Sequence, residues 1–233
     1  MMIAVAATLP AAAFENLLFR PLVANTFEPR VGCSYRESDE KMRLDIGASI
    51  DLVEFSLGDD ALRIGGDFFT YTRLRTAGNM KFPVETSDYY FGLNASSRFK
   101  WSGRDFTARL RVAHISSHVV DGLSNDTVFT RTPFVYSREF VDAAIATEFG
   151  PVRPYVGLCY VFSTKPKDPD PIAMQFGADV DYPLSFAKWM HVSAGYDFKL
   201  PGIDGVYAGV NTAQLGLLFK TSAHTGIFAG AYL

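Results

Sequence analysis

Residues 89–118 give the clearest indication of the fold of this chain, and their sequence is YYFGLNASSRFKWSGRDFTARLRVAHISSH. In its first half, apolar side chains such as Phe91 and Leu93 alternate with polar or small ones such as Asn94. Successive side chains of a β-strand point to opposite faces, so this alternation predicts a strand with one apolar and one polar face. The same pattern returns over residues 106–118 after a short link that contains Gly. The two halves therefore predict an antiparallel hairpin.

Alternation of this kind recurs along most of the chain in stretches of about 10 to 16 residues, whereas strands of soluble sheets usually have about five or six. Such lengths suit strands that cross a bilayer at a tilt. The predicted strands are residues 30–36, 42–57, 62–74, 89–101, 106–118, 137–149, 153–162, 172–182, 192–199, 208–220 and 226–233. The sequence thus predicts an all-β fold, a transmembrane antiparallel β-barrel of about 11–12 strands. Because single-chain bacterial barrels have even strand numbers, we expect a twelfth strand to be missing from a truncated C-terminal end or hidden within our boundaries.

The composition excludes two other classes of protein. The chain has 20 Phe and 11 Tyr, but its mean hydropathy is only +0.07. No window approaches the ~18 consecutive apolar residues of a membrane-spanning helix. The net charge is −3 with acidic and basic residues intermixed, so the chain offers no basic surface for nucleic acid. We interpret Cys33 and Cys159 as two small buried hydrophobic residues, with a disulfide as the alternative.

The links between the predicted strands alternate in length. Residues 58–61 and 102–105 are short links, whereas residues 75–85 and 119–136 are long and rich in turn residues. Outer-membrane barrels have short periplasmic turns and longer outer loops. The alternation therefore predicts a barrel in the bacterial outer membrane with its N-terminus in the periplasm.

The N-terminal residues precede the predicted barrel domain, residues 30–233. Residues 1–13, MMIAVAATLPAAA, end in small residues as a signal-peptidase site does, but they lack the usual opening Lys or Arg. We interpret them as an incomplete signal peptide. Residues 14–29 are predicted to form an N-terminal periplasmic segment.

The polar face of the predicted strands carries charges of both signs. They are Arg63, Arg98, Arg109, Arg111, Asp142 and Glu148, together with Asp45, Asp51, Asp67, Asp179 and Asp181. Opposite charges that face one another inside a barrel should form ion-pair networks, because an unpaired charge there is costly. We therefore predict a plugged or narrow lumen, with a selective channel for a small charged solute as the alternative. A soluble barrel or sandwich is a further alternative, but its interior would be apolar.

The apolar face of the hairpin's second strand changes abruptly to His114, Ser116 and His118. His114 and Ser116 share a face about 6.6 Å apart along the strand, a separation that a hydroxyl–imidazole hydrogen bond can close. The next strand brings Glu139 opposite this pair. A nucleophile (Ser116), a base (His114, with His118 as the alternative) and an orienting carboxylate (Glu139) can therefore meet on the lipid side.

Two other interpretations of the same residues remain open. The polar side chains can form an interfacial band at the rim of the barrel, hydrogen-bonded to lipid headgroups. Alternatively, His114 and His118 can bind a metal ion together with Asp121, although two His at i and i+4 of a strand are widely spread. The sequence indicates no cofactor and leaves a calcium requirement open. The expected partners are outer-membrane lipid or lipopolysaccharide, and the oligomeric state is not indicated.

Two resemblances follow from these residues. The His-x-Ser pair with an acidic partner on the neighbouring strand resembles outer-membrane phospholipase A and the lipid A deacylase, which are barrel hydrolases that act from the bilayer side. A broader resemblance is to a family of uncharacterised bacterial outer-membrane proteins with a domain of unknown function. It rests on Phe19-Arg-Pro-Leu22 with Glu28-Pro-Arg30, on His114-Ile-Ser-Ser-His118 and on Ser137-Arg-Glu-Phe-Val-Asp142. Where that family is expected to have Gly-Asp-Glu after the second His, this chain has Val119-Val-Asp-Gly122.

Overall fold

The structure, a computed structural model, describes residues 2–8, 17–57, 60–79, 81–125, 128–129, 136–221 and 226–233. These residues form an all-β fold with one short 3-10 turn, Asp121–Leu123. The strands are β1 (Met2–Thr8), β2 (Gly32–Arg36), β3 (Lys41–Leu57), β4 (Asp60–Arg75), β5 (Val84–Trp101), β6 (Arg104–Val119), β7 (Ser124–Asn125), β8 (Val128–Phe129), β9 (Tyr136–Thr147), β10 (Val152–Lys165), β11 (Ile172–Leu184), β12 (Ala187–Leu200), β13 (Gly202–Ile203), β14 (Val206–Tyr207), β15 (Val210–Lys220) and β16 (Gly226–Tyr232). Among the described residues, no helix is long and apolar enough to span a membrane.

Twelve of the described strands form one antiparallel sheet that closes on itself as a barrel. Neighbours in the sheet are neighbours in sequence, apart from β7–β8 and β13–β14, which form separate small hairpins. Strand β1 pairs with β16 on one side and with β2 on the other, and so joins the two ends of the sheet. All eleven predicted strands are present, with ends shifted by a few residues.

The twelfth strand of the barrel is β1, at the N-terminal end of the sequence. The prediction had placed it beyond the C-terminal end or within our strand boundaries. Strand β1 lies inside residues 1–13, which the sequence indicates as an incomplete signal peptide. Met2 lies opposite Arg36 and Tyr232, at the same end of the barrel as the β2–β3 link, whereas the prediction places the N-terminus at the other end, where the short links are. Removal of those residues on export stays a prediction.

The hairpin predicted over residues 89–118 is present with the predicted pairing of its strands. Strands β5 and β6 pair continuously from Thr86 opposite Val119 to Trp101 opposite Arg104. The two turn residues between them, Ser102 and Gly103, both have positive φ, as the tight hairpin turn requires. Four of the described strand pairs in the barrel have register shifts that were not predicted. One is a bulge in β3 at Leu52, so Leu52 and Val53 both point outward.

On the strands whose side chains the structure describes, the outer face of the barrel is largely apolar. Large hydrophobic side chains are exposed on successive strands, among them Ile46, Phe68, Leu93, Leu110, Leu158, Phe176, Leu215 and Ile227. Exposed aromatic residues gather at the end with the short links; they are Trp101, Phe149, Tyr182, Phe186 and Trp189. Five links at that end have two to five residues by the strand bounds, and the sixth, from β1 to β2, is residues 9–31. The links at the opposite end are mostly longer than the first five.

The lumen contains a segment of the chain itself. Residues 17–31, here called the lumen segment, lie between β1 and β2 in sequence and contact strands on all sides of the barrel. The amide of Leu18 donates to Asp51 of β3, and the amide of Val23 donates to Asp179 of β11. Phe19, Leu22 and Ala24 are fully buried. A segment that reaches opposite walls must run inside the barrel, whereas the prediction placed residues 14–29 before the barrel as a separate periplasmic segment.

The centre of this arrangement is the carboxylate of Glu28. It accepts two hydrogen bonds from Arg109, at 2.9 and 2.6 Å, and lies 3.4 Å from Arg111. Arg111 also donates to Asp142 at 3.1 Å. Burial alone would raise the pKa of Glu28, but the neighbouring charges of Arg109 and Arg111 outweigh burial and hold the pKa of this carboxyl below its ordinary value.

Most of the predicted lumen charges are thus paired, with Glu28 as a partner that the sequence did not identify, and Asp67 instead accepts a hydrogen bond from Ser49. Arg63 faces inward and pairs with Asp51 and Glu54. Arg98 and Glu148 differ, because both are exposed near the short-link end of the barrel, where Glu148 pairs with Arg20 of the lumen segment. Cys33 and Cys159 are free thiols, both partly buried, so the disulfide alternative was wrong.

Replacement of Glu28 by Ala should strongly destabilise the protein, because it leaves Arg109 and Arg111 with an uncompensated charge in the lumen. We expect a loss of about 3–5 kcal/mol in the free energy of unfolding, measured by urea unfolding in detergent. Glu148→Ala is the matched control. It also removes an acid that binds an arginine, but at an exposed site, so the loss should stay below about 1 kcal/mol. Equal effects of the two substitutions would contradict the assigned role of Glu28.

Candidate functional site

The outer face of β6 becomes polar toward the long-loop end of the barrel. Leu110 and Val112 are half exposed on this face, and His114, Ser116 and His118 continue the same parity. The intervening residues Arg111, Ala113 and Ile115 are buried on the inner face. The three polar side chains therefore project outward, as the alternation predicted.

The neighbouring strand β9 brings a carboxylate to this surface. Glu139 lies directly opposite His114 in the register of β6 and β9. Glu139 Oε1 is 2.9 Å from His114 Nδ1, and both side chains are about one-third exposed, at 32% and 39%. Since a carboxylate only accepts hydrogen bonds, His114 donates from Nδ1, and in the neutral ring Nε2 is then the atom with the lone pair. This is the tautomer that a general base requires.

The hydroxyl of Ser116 makes a different bond from the predicted one. Ser116 Oγ lies 3.2 Å from His118 Nε2, and the structure shows no Ser116–His114 hydrogen bond among the described residues. The reason is geometric: Ser116 is two residues from each histidine on one face, so its hydroxyl can reach either ring but not both at once. The ring of His118 is held by an edge contact with Tyr89, whose ring centre is 5.5 Å away.

Three further side chains border this cluster on the outer face. Ser137 is the register partner of Ser116 on β9, and Tyr89 is its partner on β5. Ser163 of β10 lies opposite Glu139. The sequence pattern did not identify Tyr89 or Ser163 as neighbours of this cluster. Their parity on adjacent strands is the signal that would have identified them, but only once the register was known.

The metal interpretation finds no support in the described part of the chain. No group of three or more His, Cys, Asp or Glu side chains there could hold a metal ion. His114 and His118 are separated by about 13 Å along the strand, too far to share one ion without help. The side chain of Asp121, the third predicted ligand, lies outside the described residues.

Comparison with known families gives one match. A family model described as a protein of unknown function (DUF1207) matches residues 80–200, which is just over half of the chain. The matched region contains β5 to β12, and with them His114, Ser116, His118 and Glu139. No curated protein matches the chain.

Proposed function

The chain belongs to the DUF1207 family of proteins of unknown function, and we propose that it is an outer-membrane β-barrel that hydrolyses acyl esters of lipids at its outer face. The nucleophile in this proposal is Ser116, the base is His114 and the orienting carboxylate is Glu139. The substrate class is phospholipid or lipopolysaccharide, whose ester bonds lie at the depth of the membrane interface.

The surface of the barrel supports the membrane location. Exposed apolar side chains form a continuous band, and soluble monomers rarely expose apolar patches of more than a few hundred Å². Trp101 and Trp189 lie at one edge of this band, where aromatic girdles of outer-membrane barrels occur. Water would make such a surface prone to association, whereas lipid would solvate it.

The contact between His114 and Glu139 is the observation that carries the proposed chemistry. A histidine whose Nδ1–H donates to a carboxylate presents Nε2 as a base, and Ser116 lies two residues along the same face. A change of the Ser116 side-chain rotamer exchanges its hydrogen bond from His118 to His114. The cost is small, because Ser has three staggered rotamers and its hydroxyl is partnered in both arrangements.

The proposed reaction proceeds in two steps. Ser116 Oγ attacks the ester carbonyl while its proton passes to His114 Nε2, and Glu139 stabilises the resulting imidazolium. The tetrahedral intermediate expels the lipid alcohol, which takes the proton from His114 and leaves an acyl-serine. Water then attacks the acyl-serine by the same route and releases a free fatty acid. In this proposal the hydroxyl of Ser137, the register partner of Ser116, donates to the developing oxyanion.

Purified protein should release fatty acid from detergent-dispersed phospholipid or lipopolysaccharide, and Ser116→Ala should reduce the rate at least about 10³-fold. Ser117→Ala is the matched control, because it removes the same hydroxyl one residue away on the opposite face of the strand. This control should keep its activity. Release that survives in Ser116→Ala, while both variants still fold, would contradict the assignment of the nucleophile.

The two histidines should differ in their contribution to the rate. We expect His114→Ala to lower kcat about as much as Ser116→Ala, because residues of one catalytic unit are not additive. His118→Ala should retain activity within about tenfold, since in the described part of the chain His118 is not hydrogen-bonded to a carboxylate as His114 is to Glu139. Steady-state rates on one lipid substrate measure this difference. A larger loss in His118→Ala would assign the base to His118 instead.

The structure does not favour the alternative of a selective channel. The lumen segment occupies the interior, and Arg109 and Arg111 bind Glu28 rather than line an open path. A barrel without catalytic activity is the remaining alternative, and it predicts no release of fatty acid from any lipid.

A further inference from the structure

A cavity of about 430 Å³ lies in the lumen at the long-loop end, beside the lumen segment. Its walls are inward-facing side chains of β2 to β5, β15 and β16, and the lumen segment contributes Phe27 and Arg30. We call this cavity the vestibule and define it by Phe27, Arg30, Lys41, Arg43, Tyr71 and Arg73. Its volume is within the range of sites for small ligands. It lies inside the barrel, apart from the outer-face site of Ser116.

The vestibule has more basic than acidic groups. Arg43 and Arg30 share the carboxylate of Asp45, at 2.6 and 3.7 Å. Lys41 and Arg73 share the buried carboxylate of Glu85, with Arg73 Nε at 3.1 Å.

Two carboxylates, those of Asp45 and Glu85, thus form the ion pairs of all four cations. Asp88 is a third acid in the wall of the vestibule, and Arg36 at the rim is neutralised by Asp39. Counted over side chains, one positive charge is in excess, and the carboxylate of Leu233, which also lines the cavity, offsets it in this chain. Two pairs of cations, Arg43 with Arg30 and Lys41 with Arg73, still share one carboxylate each, so an anion is the ligand that these groups would bind.

The guanidinium of Arg43 is held in a fixed plane. It lies over the ring of Tyr71, with 4.3 Å from Cζ to the ring centre, and donates to Asp45 and to the carbonyl of Thr26. Phe27 packs edge-on against the same ring of Tyr71 at 6.0 Å. Such a planar, oriented group is suited to the oxygens of a phosphate or carboxylate. Arg73 is less constrained, with 40% of its side chain exposed.

The hydroxyl of Tyr71 is a second and independent indication of a ligand. Tyr71 lines the vestibule with only 7% of the residue exposed, and its hydroxyl has no hydrogen-bond partner in the described part of the chain. A buried hydroxyl without a partner costs about 1–3 kcal/mol. The cost is removed when a bound group accepts a hydrogen bond from it.

We propose that the vestibule binds a small organic anion, whose phosphate or carboxylate group lies between Arg43, Arg73 and Lys41 and accepts a hydrogen bond from Tyr71. The body of the ligand packs on the aromatic rings of the cavity wall. The proposed hydrolase activity is not required for this site.

Calorimetric titration of the full chain in detergent, in a buffer free of phosphate and carboxylate, tests the proposal with inorganic phosphate, glucose 6-phosphate and citrate as probes. We expect saturable binding of a phosphate probe or of citrate, which distinguishes the two chemistries. Arg73→Gln should weaken binding at least about tenfold, the effect of one charged hydrogen bond. Arg98→Gln removes the same charge on an exposed arginine near the opposite end of the barrel and should leave the affinity unchanged.

Tyr71→Phe separates ligand binding from a structural role. The variant keeps the ring on which Arg43 lies but lacks the hydroxyl, so the midpoint of urea unfolding should stay the same or rise while affinity falls about tenfold. Three results would overturn the proposal: no saturable binding of any probe, equal loss of affinity in Arg73→Gln and Arg98→Gln, or unchanged affinity in Tyr71→Phe.

Discussion

The carboxylate of Glu28, fully enclosed between Arg109 and Arg111, is the contact on which the interior of this barrel depends. Without Glu28, Arg109 and Arg111 would share one carboxylate, that of Asp142, and an uncompensated charge away from water is costly. The lumen segment supplies the missing acid and, through Val23 and Arg30, contacts with opposite walls. The segment is therefore part of the core of the protein rather than an appendage.

Because the charged side chains form their ion pairs inside the barrel, the outer face can be apolar. Inner residues such as Arg111 and outer residues such as Val112 alternate along each strand, so polar groups inside and hydrophobic groups outside follow from one pattern. The exception on β6, where the outer face turns polar at His114, is then a feature that the fold does not require. It is the reason why the proposed chemistry is assigned to that surface.

Much of the fold could be predicted because alternation is a local signal. It identified eleven strands, their faces and the register that places Glu139 opposite His114. It failed where local pattern carries no information. Strand β1 was interpreted as an incomplete signal peptide because an apolar run suits both, and the position of the lumen segment depends on long-range ion pairs. The bulge at Leu52 moves two consecutive side chains to one face, which strict alternation cannot represent.

In the candidate site, too, some features could be predicted from local alternation and others could not. Residue parity correctly put His114, Ser116 and His118 on one face, and strand pairing brought Glu139 to them. The choice of Ser116 between two equally spaced histidines could not be predicted, because it depends on a side-chain rotamer. Likewise, the structural role of Glu28, which pairs with arginines in the lumen, could not be predicted, although Glu28-Pro-Arg30 is one of the motifs that carry the family resemblance. Sequence spacing specifies which groups can meet, and packing decides which of them do.

The apolar outer face of this barrel is proposed to be in contact with lipid, and the two tryptophans of the chain can report on that contact. Trp101 and Trp189 are exposed at the same edge of the apolar band. In bilayers of brominated lipid, their fluorescence should be quenched most by bromine near the headgroup end of the acyl chain. A tryptophan introduced by Leu93→Trp, in a chain that lacks the other two, should be quenched most by bromine nearer the tail. Fluorescence that is insensitive to brominated lipid but quenched by aqueous iodide would contradict the account.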